Sequence, residues 1–96
     1  MNSTKWNEIF LAFCKNKFEI SYRTKALNGY LSPWDISWEH FGCEFEHYKD
    51  LEWLQIELTE KNREFVIDTL RTIHVPGEIR ENTAVVYGYN QNCEYI

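Results

Sequence analysis

The chain has 96 residues, a formal net charge of −5 at pH 7, and an aromatic content of 17%. This length predicts one domain over residues 1–96, and the low content of Gly and Pro (four and two residues) argues against a disordered chain. No apolar run approaches the roughly 20 residues that span a bilayer, no signal-peptide pattern is visible, and three widely spaced cysteines predict no disulfide framework. We therefore expect a reduced, cytoplasmic protein without a membrane partner.

A helix and a hairpin are predicted in the first third of the chain. Apolar residues with the 3, 4, 7 spacing of one helical face predict a helix over about residues 4–16. Residues 18–27 mix β-formers with charges, and Asn28 and Gly29 form the preferred two-residue turn of a β-hairpin. A short return strand stops at Pro33, because proline has no amide hydrogen to donate to a sheet.

The stretch LSPWDISWEHFG, residues 31–42, predicts a short helix. Ser32 suits the N-cap, Pro33 suits the first helical position, and Gly42 suits a left-handed stop at the C-terminal end. Three aromatic residues spaced four and three positions apart project from one face of this helix and are expected to be largely buried: Trp34, Trp38 and Phe41.

Two strands are predicted next. The alternating sequence CEFEHYK predicts a strand over residues 43–49, and LEWLQIEL predicts a second strand over residues 51–58. Within the second strand, Leu54 and Ile56 share one side, whereas Trp53 lies on the opposite, partly covered side.

A helix and a last strand complete the predicted fold. Thr59 suits the cap of a helix over about residues 60–74, and TAVVYGY predicts a strand over residues 83–89. A strand, a helix and a strand in this order favour a crossover back onto one sheet. The sequence therefore predicts an α+β domain with a four- or five-stranded, mainly antiparallel sheet, two longer helices and one short helix.

One group of residues resembles a metal site. Imidazole and thiolate groups are good zinc ligands, which brings His40, Cys43 and His47 together as candidates. On the predicted strand, however, Cys43 and His47 would lie about 13 Å apart, too far to share one ion without a bend. We therefore expect no metal and no other cofactor.

Paired carboxylates could serve a hydrolase. Glu44 with Glu46 and Asp50 with Glu52 would lie about 6–7 Å apart on the same side of a strand. The same spacing arises in any solvated strand face, and the chain has no phosphate-binding loop and no nucleophile signature. We expect no enzyme, and we keep a small carboxylate- or metal-dependent enzyme as the alternative.

The charges are unevenly distributed along the chain. Residues 1–30 carry +3, residues 31–60 carry −7 and residues 61–96 carry −1. An acidic middle third repels phosphate backbones and attracts a basic partner. We therefore expect a basic protein partner and no nucleic acid, although charged strand edges that resist aggregation would give the same pattern.

Four segments carry a resemblance to a known family: STKWNE, YRTKALNGYLSPWD, EWLQIEL and VPGEI followed by VVYGY. Together they resemble a family of small bacterial proteins of uncharacterised function with TKWNE-like and SPWD-like motifs. The family supplies no catalytic residues that can be transferred to this chain. In its size, acidity and aromatic content the chain is also similar to immunity proteins of bacterial toxin systems. The segment LEWLQ, followed by a helix and a strand, resembles the C-terminal half of barstar-like ribonuclease inhibitors.

These observations lead to the hypothesis of an immunity (antitoxin) protein that neutralises a cationic toxin of the nuclease type through an acidic surface. A nuclease site must be positive to hold phosphates, so a carboxylate-rich surface mimics its substrate and speeds association. The expected contact residues are Asp35, Glu39, Glu44, Glu46, Asp50 and Glu52, with Tyr48 and Trp53 as aromatic anchors. A housekeeping homo-oligomer without a toxin partner is a further alternative.

Overall fold

A computed structural model describes residues 1–15, 19–42, 45–89 and 94–96, with the backbone alone for residues 42 and 45–47. The elements are α1 (Ser3–Cys14), β1 (Tyr22–Ala26), α2 (Trp38–Gly42), a 3₁₀ helix (Phe45–Asp50), β2 (Leu51–Glu57), α3 (Arg63–Ile73), β3 (Gly77–Ile79) and β4 (Thr83–Tyr87). Two longer helices, one short helix and a four-stranded sheet confirm the predicted α+β fold. Among the described residues, no helix has the length and apolar character that a membrane crossing requires.

The four strands form one sheet in the order β1-β2-β4-β3, and every neighbouring pair is antiparallel. Because β2 and β3 both run antiparallel to β4, they run parallel to each other. The chain between them, which contains α3, therefore crosses from one side of β4 to the other. Strand β4 then fills the position between them. The sequence predicted this crossover between the strands at 51–58 and 83–89, which is wrong, because these strands (β2 and β4) pair antiparallel and the crossover leads to β3.

The two faces of the sheet differ in polarity. Leu54 and Ile56 of β2 are fully buried, and so are their register partners Val86 and Ala84 on β4. Trp53 points to the opposite face and is only partly buried. The predicted alternation in β2 is thus confirmed, and we call the face that carries Trp53 the open face.

Aromatic rings fill the space between the sheet and the N-terminal helix. The Trp38 ring lies 4.9 Å from Phe13 of α1 and 4.3 Å from Tyr22 of β1, measured between centroids. Phe41 makes edge contacts with Trp6 and Trp38 at 6.1 and 5.4 Å. Large aromatic side chains bury much area per residue, which lets a chain of this length build a core.

The predicted helix over LSPWDISWEHFG is wrong in its first half. Helix α2 begins at Trp38, and the preceding residues run extended beside β1, where Asp35 and Tyr22 exchange two backbone hydrogen bonds of 2.8 and 2.9 Å. Ser32 donates its amide hydrogen to Thr24 O at 2.9 Å. The backbone N–H and C=O groups of this stretch are therefore satisfied by pairing with β1, and not by the helical hydrogen bonds that Ser32 and Pro33 predict.

The predicted strand over residues 43–49 is also wrong where the structure describes it. Phe45–Asp50 form a 3₁₀ helix, and Tyr48 within it is buried. Helix α3 starts at Arg63, later than predicted, because Thr59 and Asn62 form a turn by exchanging side-chain to backbone hydrogen bonds.

Candidate functional site

The surface beside β1 is built by residues 27–36, which we call the rim segment. A turn returns the chain after β1: Gly29 adopts φ 94°, and the Asn28 side chain accepts from the amide of Tyr30 at 2.9 Å. The amide of Ala26 then donates to Tyr30 O at 2.8 Å. With the pairing of Asp35 described above, these bonds fix the rim segment along the edge of the sheet.

The rim segment is unusually apolar for an exposed stretch. Among the described residues, eight large hydrophobic side chains are exposed, and five of them lie here, each between 43 and 64% accessible: Leu27, Tyr30, Leu31, Trp34 and Ile36. Single exposed apolar residues are ordinary, whereas a concentration of them marks an interaction surface. The rim segment is therefore the first candidate for a contact surface.

An arginine holds the exposed tryptophan of the rim segment in place. The guanidinium carbon of Arg23 lies 4.7 Å from the ring centroid of Trp34 and 6.0 Å from that of Trp53. The Nε atom of Arg23 donates to Gln55 Oε1 at 2.7 Å. Both tryptophans are thus ordered on the open face without being buried, because the cation occupies a position close to their rings.

A cleft of about 620 Å³ opens on the other side of the rim segment. Its walls are mostly apolar, and its ionisable lining residues are Asp35, His40 and Asp50. Among the described residues, no Lys or Arg side chain lines it. We call it the acidic cleft; its apolar and aromatic lining residues include Tyr22, Ala26, Leu27, Tyr30, Phe41 and Leu51.

The carboxylate of Asp35 is fixed on both oxygens. Oδ2 lies 2.8 Å from Nδ1 of His40, and Oδ1 accepts from the amide of Ser37 at 2.8 Å. The hydrogen bond from His40, followed by the one from Ser37, holds the pKa of Asp35 below its ordinary value. Asp35 therefore stays negatively charged at neutral pH, at a fixed position on the cleft wall.

Asp50 contributes the second carboxylate of the acidic cleft. Its backbone carbonyl accepts from the amide of Leu27 at 2.8 Å, which ties the end of the 3₁₀ helix to the rim segment. The Asp50 residue itself is exposed. The structure therefore brings two of the predicted contact residues, Asp35 and Asp50, to the same cleft from positions 15 residues apart.

Of the other predicted contact residues that the structure describes, Glu39, Glu52 and Trp53 do not line the acidic cleft. Glu52 makes an ion pair of 3.3 Å with Lys25, and Trp53 lies on the open face, while Glu39 is exposed on α2. Four further candidates lie wholly or in their side chains outside the described residues: Cys43, Glu44, Glu46 and His47.

Tyr48 was wrongly predicted as a surface anchor. It is 1% exposed, its ring lies 5.5 Å from that of Phe41, and burial raises the pKa of its hydroxyl. The 3₁₀ helix turns this side chain inward, whereas an alternating strand would have left it on a half-covered face. Tyr48 is a core residue.

The sequence reasoning overlooked most of the rim segment. The sequence predicts a hairpin strand for Leu27, its return strand for Tyr30 and Leu31, and a helix for Ile36, so these residues were not expected to form one exposed surface. A usable signal was present, since an Asn-Gly turn followed by several large apolar residues and a proline gives an edge that cannot be wholly buried.

The fold defines a small α+β protein built on one four-stranded antiparallel sheet, with an apolar rim segment and an acidic cleft at the β1 edge. Within the described residues, no three His, Cys, Asp or Glu side chains are grouped as metal ligands require. The chain belongs to the family of unknown function DUF6678, whose model matches residues 1–93. No curated protein and no solved structure matches it. The resemblance to an uncharacterised family is thereby confirmed, and the resemblance to immunity proteins stays a prediction.

Proposed function

We propose that this protein is an immunity (antitoxin) protein that binds and neutralises a cationic toxin, with the rim segment and the acidic cleft as its contact surface. The observation that carries the proposal is that a concentrated apolar surface adjoins a cleft whose lining residues include two aspartates and, among the described residues, no Lys or Arg. Apolar anchors supply affinity, and the charge selects a basic partner.

The electrostatics of the chain support a basic partner. The net charge is −5, and residues 31–60, which include Asp35 and Asp50, contribute −7. A nuclease must concentrate positive charge to hold phosphates, so it is attracted to such a surface, and association can reach about 10⁸–10⁹ M⁻¹s⁻¹ at low salt. The proposal therefore includes a nuclease as the toxin and predicts binding that weakens as salt rises.

The rim segment has the composition of a contact surface with strong anchors. Trp, Tyr and Arg dominate the residues whose truncation costs most binding energy in protein complexes. The rim segment exposes Trp34, which Arg23 of β1 contacts on the open face, and Tyr30, which lines the acidic cleft. The segment is also held on its backbone by β1, so little chain entropy is lost when a partner binds. An exposed apolar surface whose backbone is already hydrogen-bonded suits a protein inhibitor.

Neutralisation is tested with the genes that flank the one encoding this chain. Each flanking reading frame is expressed in a host strain, and every product that arrests growth is co-expressed with this protein. We expect one such product to be basic, to lose its toxicity on co-expression, and to form a stoichiometric complex in size-exclusion chromatography. If no flanking product arrests growth, or if none binds, the immunity function is wrong.

Three variants locate the contact surface in that assay. Asp50→Lys and Tyr30→Ala, each exposed at the acidic cleft, should weaken toxin binding at least about tenfold, equivalent to about 1.4 kcal/mol. Glu81→Lys is the matched control, since Glu81 is equally exposed but lies in the turn before β4, away from the acidic cleft. Equal losses from all three variants would place the interface elsewhere.

A small enzyme is the second candidate, and one observation favours it. The Nδ1 atom of His40 pairs with Asp35 at 2.8 Å beside a cleft, which leaves Nε2 as a possible general base. The stoichiometry of neutralisation separates the two functions. An inhibitor needs one equivalent per toxin, whereas an enzyme acts below one equivalent and loses that substoichiometric activity in His40→Ala.

A further inference from the structure

We propose that the acidic cleft is a binding site for an arginine side chain, so that the partner inserts an exposed arginine beside Asp35 and Asp50. The identity of the partner rests on the proposed function, but the arginine site is a property of this chain alone. It can therefore be tested with a small probe before any toxin is known.

The first argument is uncompensated charge. The acidic cleft has two aspartates, Asp35 and Asp50, among its lining residues, against a single histidine, His40. The two nearest cations of β1 are engaged elsewhere: Arg23 stacks on the tryptophans of the open face, and Lys25 pairs with Glu52 at 3.3 Å. Within the described residues, the chain thus supplies no Lys or Arg to this cleft, and a ligand cation completes it.

The second argument is the nature of the walls. A volume of about 620 Å³ lies within the usual range of ligand pockets, about 300–1,000 Å³. The lining is mostly apolar, and of its three aromatic residues, Tyr22, Tyr30 and Phe41, the first and last are buried in the core whereas Tyr30 is exposed to a ligand. A guanidinium is planar, stacks on aromatic rings and is more weakly hydrated than an ammonium, so this cleft favours arginine over lysine.

The third argument is preorganisation. Asp35 is held on one oxygen by the Ser37 amide and on the other by His40, and its backbone is paired with Tyr22. A carboxylate that is already oriented loses little freedom when a cation arrives. Each carboxylate oxygen accepts more than one hydrogen bond, so Oδ1 and Oδ2 of Asp35 can still accept from a guanidinium.

The test is an NMR titration of the ¹⁵N-labelled protein with N-acetyl-arginine amide. We expect saturable shifts in the millimolar range, confined to amides around the acidic cleft, such as those of Leu27, Tyr30 and His40. N-acetyl-citrulline amide has nearly the same shape without the charge and should cause no saturable shift. N-acetyl-lysine amide should bind more weakly than the arginine probe.

Variants connect the shifts to the carboxylates. Asp50→Asn should weaken binding of the arginine probe about two- to fivefold, as expected for loss of one exposed ion pair. Glu81→Gln removes an exposed carboxylate from the turn before β4 and should leave the binding of the arginine probe unchanged. The amide spectrum of each variant without probe shows that it remains folded.

The site would be disproved by the absence of saturable shifts, by equal binding of the citrulline probe, or by unchanged binding to Asp50→Asn. Equal or tighter binding of the lysine probe would overturn the choice of arginine. These outcomes are separate from neutralisation. A toxin that is neutralised although the arginine probe does not bind refutes only this inference, and a probe that binds although no toxin is found refutes only the immunity function.

Discussion

The two tryptophans of LSPWDISWEHFG provide a matched pair for separating surface from core. Trp38 is 4% exposed, packs against Phe13, Tyr22 and Phe41, and donates from Nε1 to Ile20 O at 2.9 Å. Trp38→Ala therefore removes a buried indole and leaves a carbonyl without its partner, which should cost about 3–5 kcal/mol in the free energy of unfolding. For a domain whose total stability is about 5–15 kcal/mol, that loss is large.

Trp34→Ala should behave in the opposite way. Trp34 is 43% exposed, and its described interaction is the stack on Arg23, a contact type that contributes about 0.5–1 kcal/mol at exposed sites. We expect a cost below about 1.5 kcal/mol, together with a clear loss of affinity for the toxin. Trp38→Ala should impair binding only in proportion to its unfolding.

Urea denaturation followed by far-UV circular dichroism measures both variants without relying on tryptophan fluorescence. Equal m values would show that only stability has changed. The assignment of Trp34 to the surface and Trp38 to the core is refuted if Trp34→Ala costs more than about 2 kcal/mol. It is equally refuted if Trp38→Ala costs less than about 1 kcal/mol.

Two further predictions concern polar groups. Asn62→Ala should lower the free energy of unfolding, measured by urea denaturation, by about 2–4 kcal/mol. The reason is that Asn62 is 1% exposed and its side chain accepts from Thr59 N and donates to Glu57 O. A loss below about 1 kcal/mol would contradict this role. The pKa of Asp35 is lowered in the folded state, so the wild type should be more stable to unfolding than Asp35→Asn above the ordinary pKa of 3.8. This extra stability should be lost as the pH falls through the pKa of the folded state. Unfolding measurements on both proteins between about pH 2 and 6 check this. If their difference in stability does not change with pH, the charged form of Asp35 is not stabilised by His40.

The spacing of apolar residues predicted the elements whose apolar face is also the face that packs into the core. The stripe of α1 and the alternation of β2 are confirmed because each element buries the face that its sequence marks as apolar. β3 was overlooked, since three residues beginning with Gly77 carry no periodic signal. Gly77 fits there because an added Cβ would lie 2.1 Å from the Val85 carbonyl oxygen, so a larger residue would push the strands apart.

The site was predicted only in part because charge along the sequence does not determine which side chains meet. Asp35 and Asp50 lie at one cleft through the return of the rim segment, a tertiary arrangement that no local spacing encodes. Trp53 was placed correctly on the less buried face because strand alternation is local. Tyr48 was misplaced because an alternating stretch and a 3₁₀ helix differ by one residue in period, and core packing selected the latter.

The hydrogen bonding of the sheet edges constrains how any partner can bind. Residues 30–35 cover the edge of β1, and residues 94–96 pair with residues 75–77, with Gly77 N donating to Glu94 O at 2.9 Å. A partner strand therefore finds neither edge open where these segments lie, and addition to the sheet is disfavoured there. At those positions, recognition of the proposed toxin depends on side chains, which concentrates affinity in a few exposed aromatic and charged residues. We therefore expect single substitutions in the rim segment and the acidic cleft to change the affinity for that toxin more than changes in backbone hydrogen bonding do.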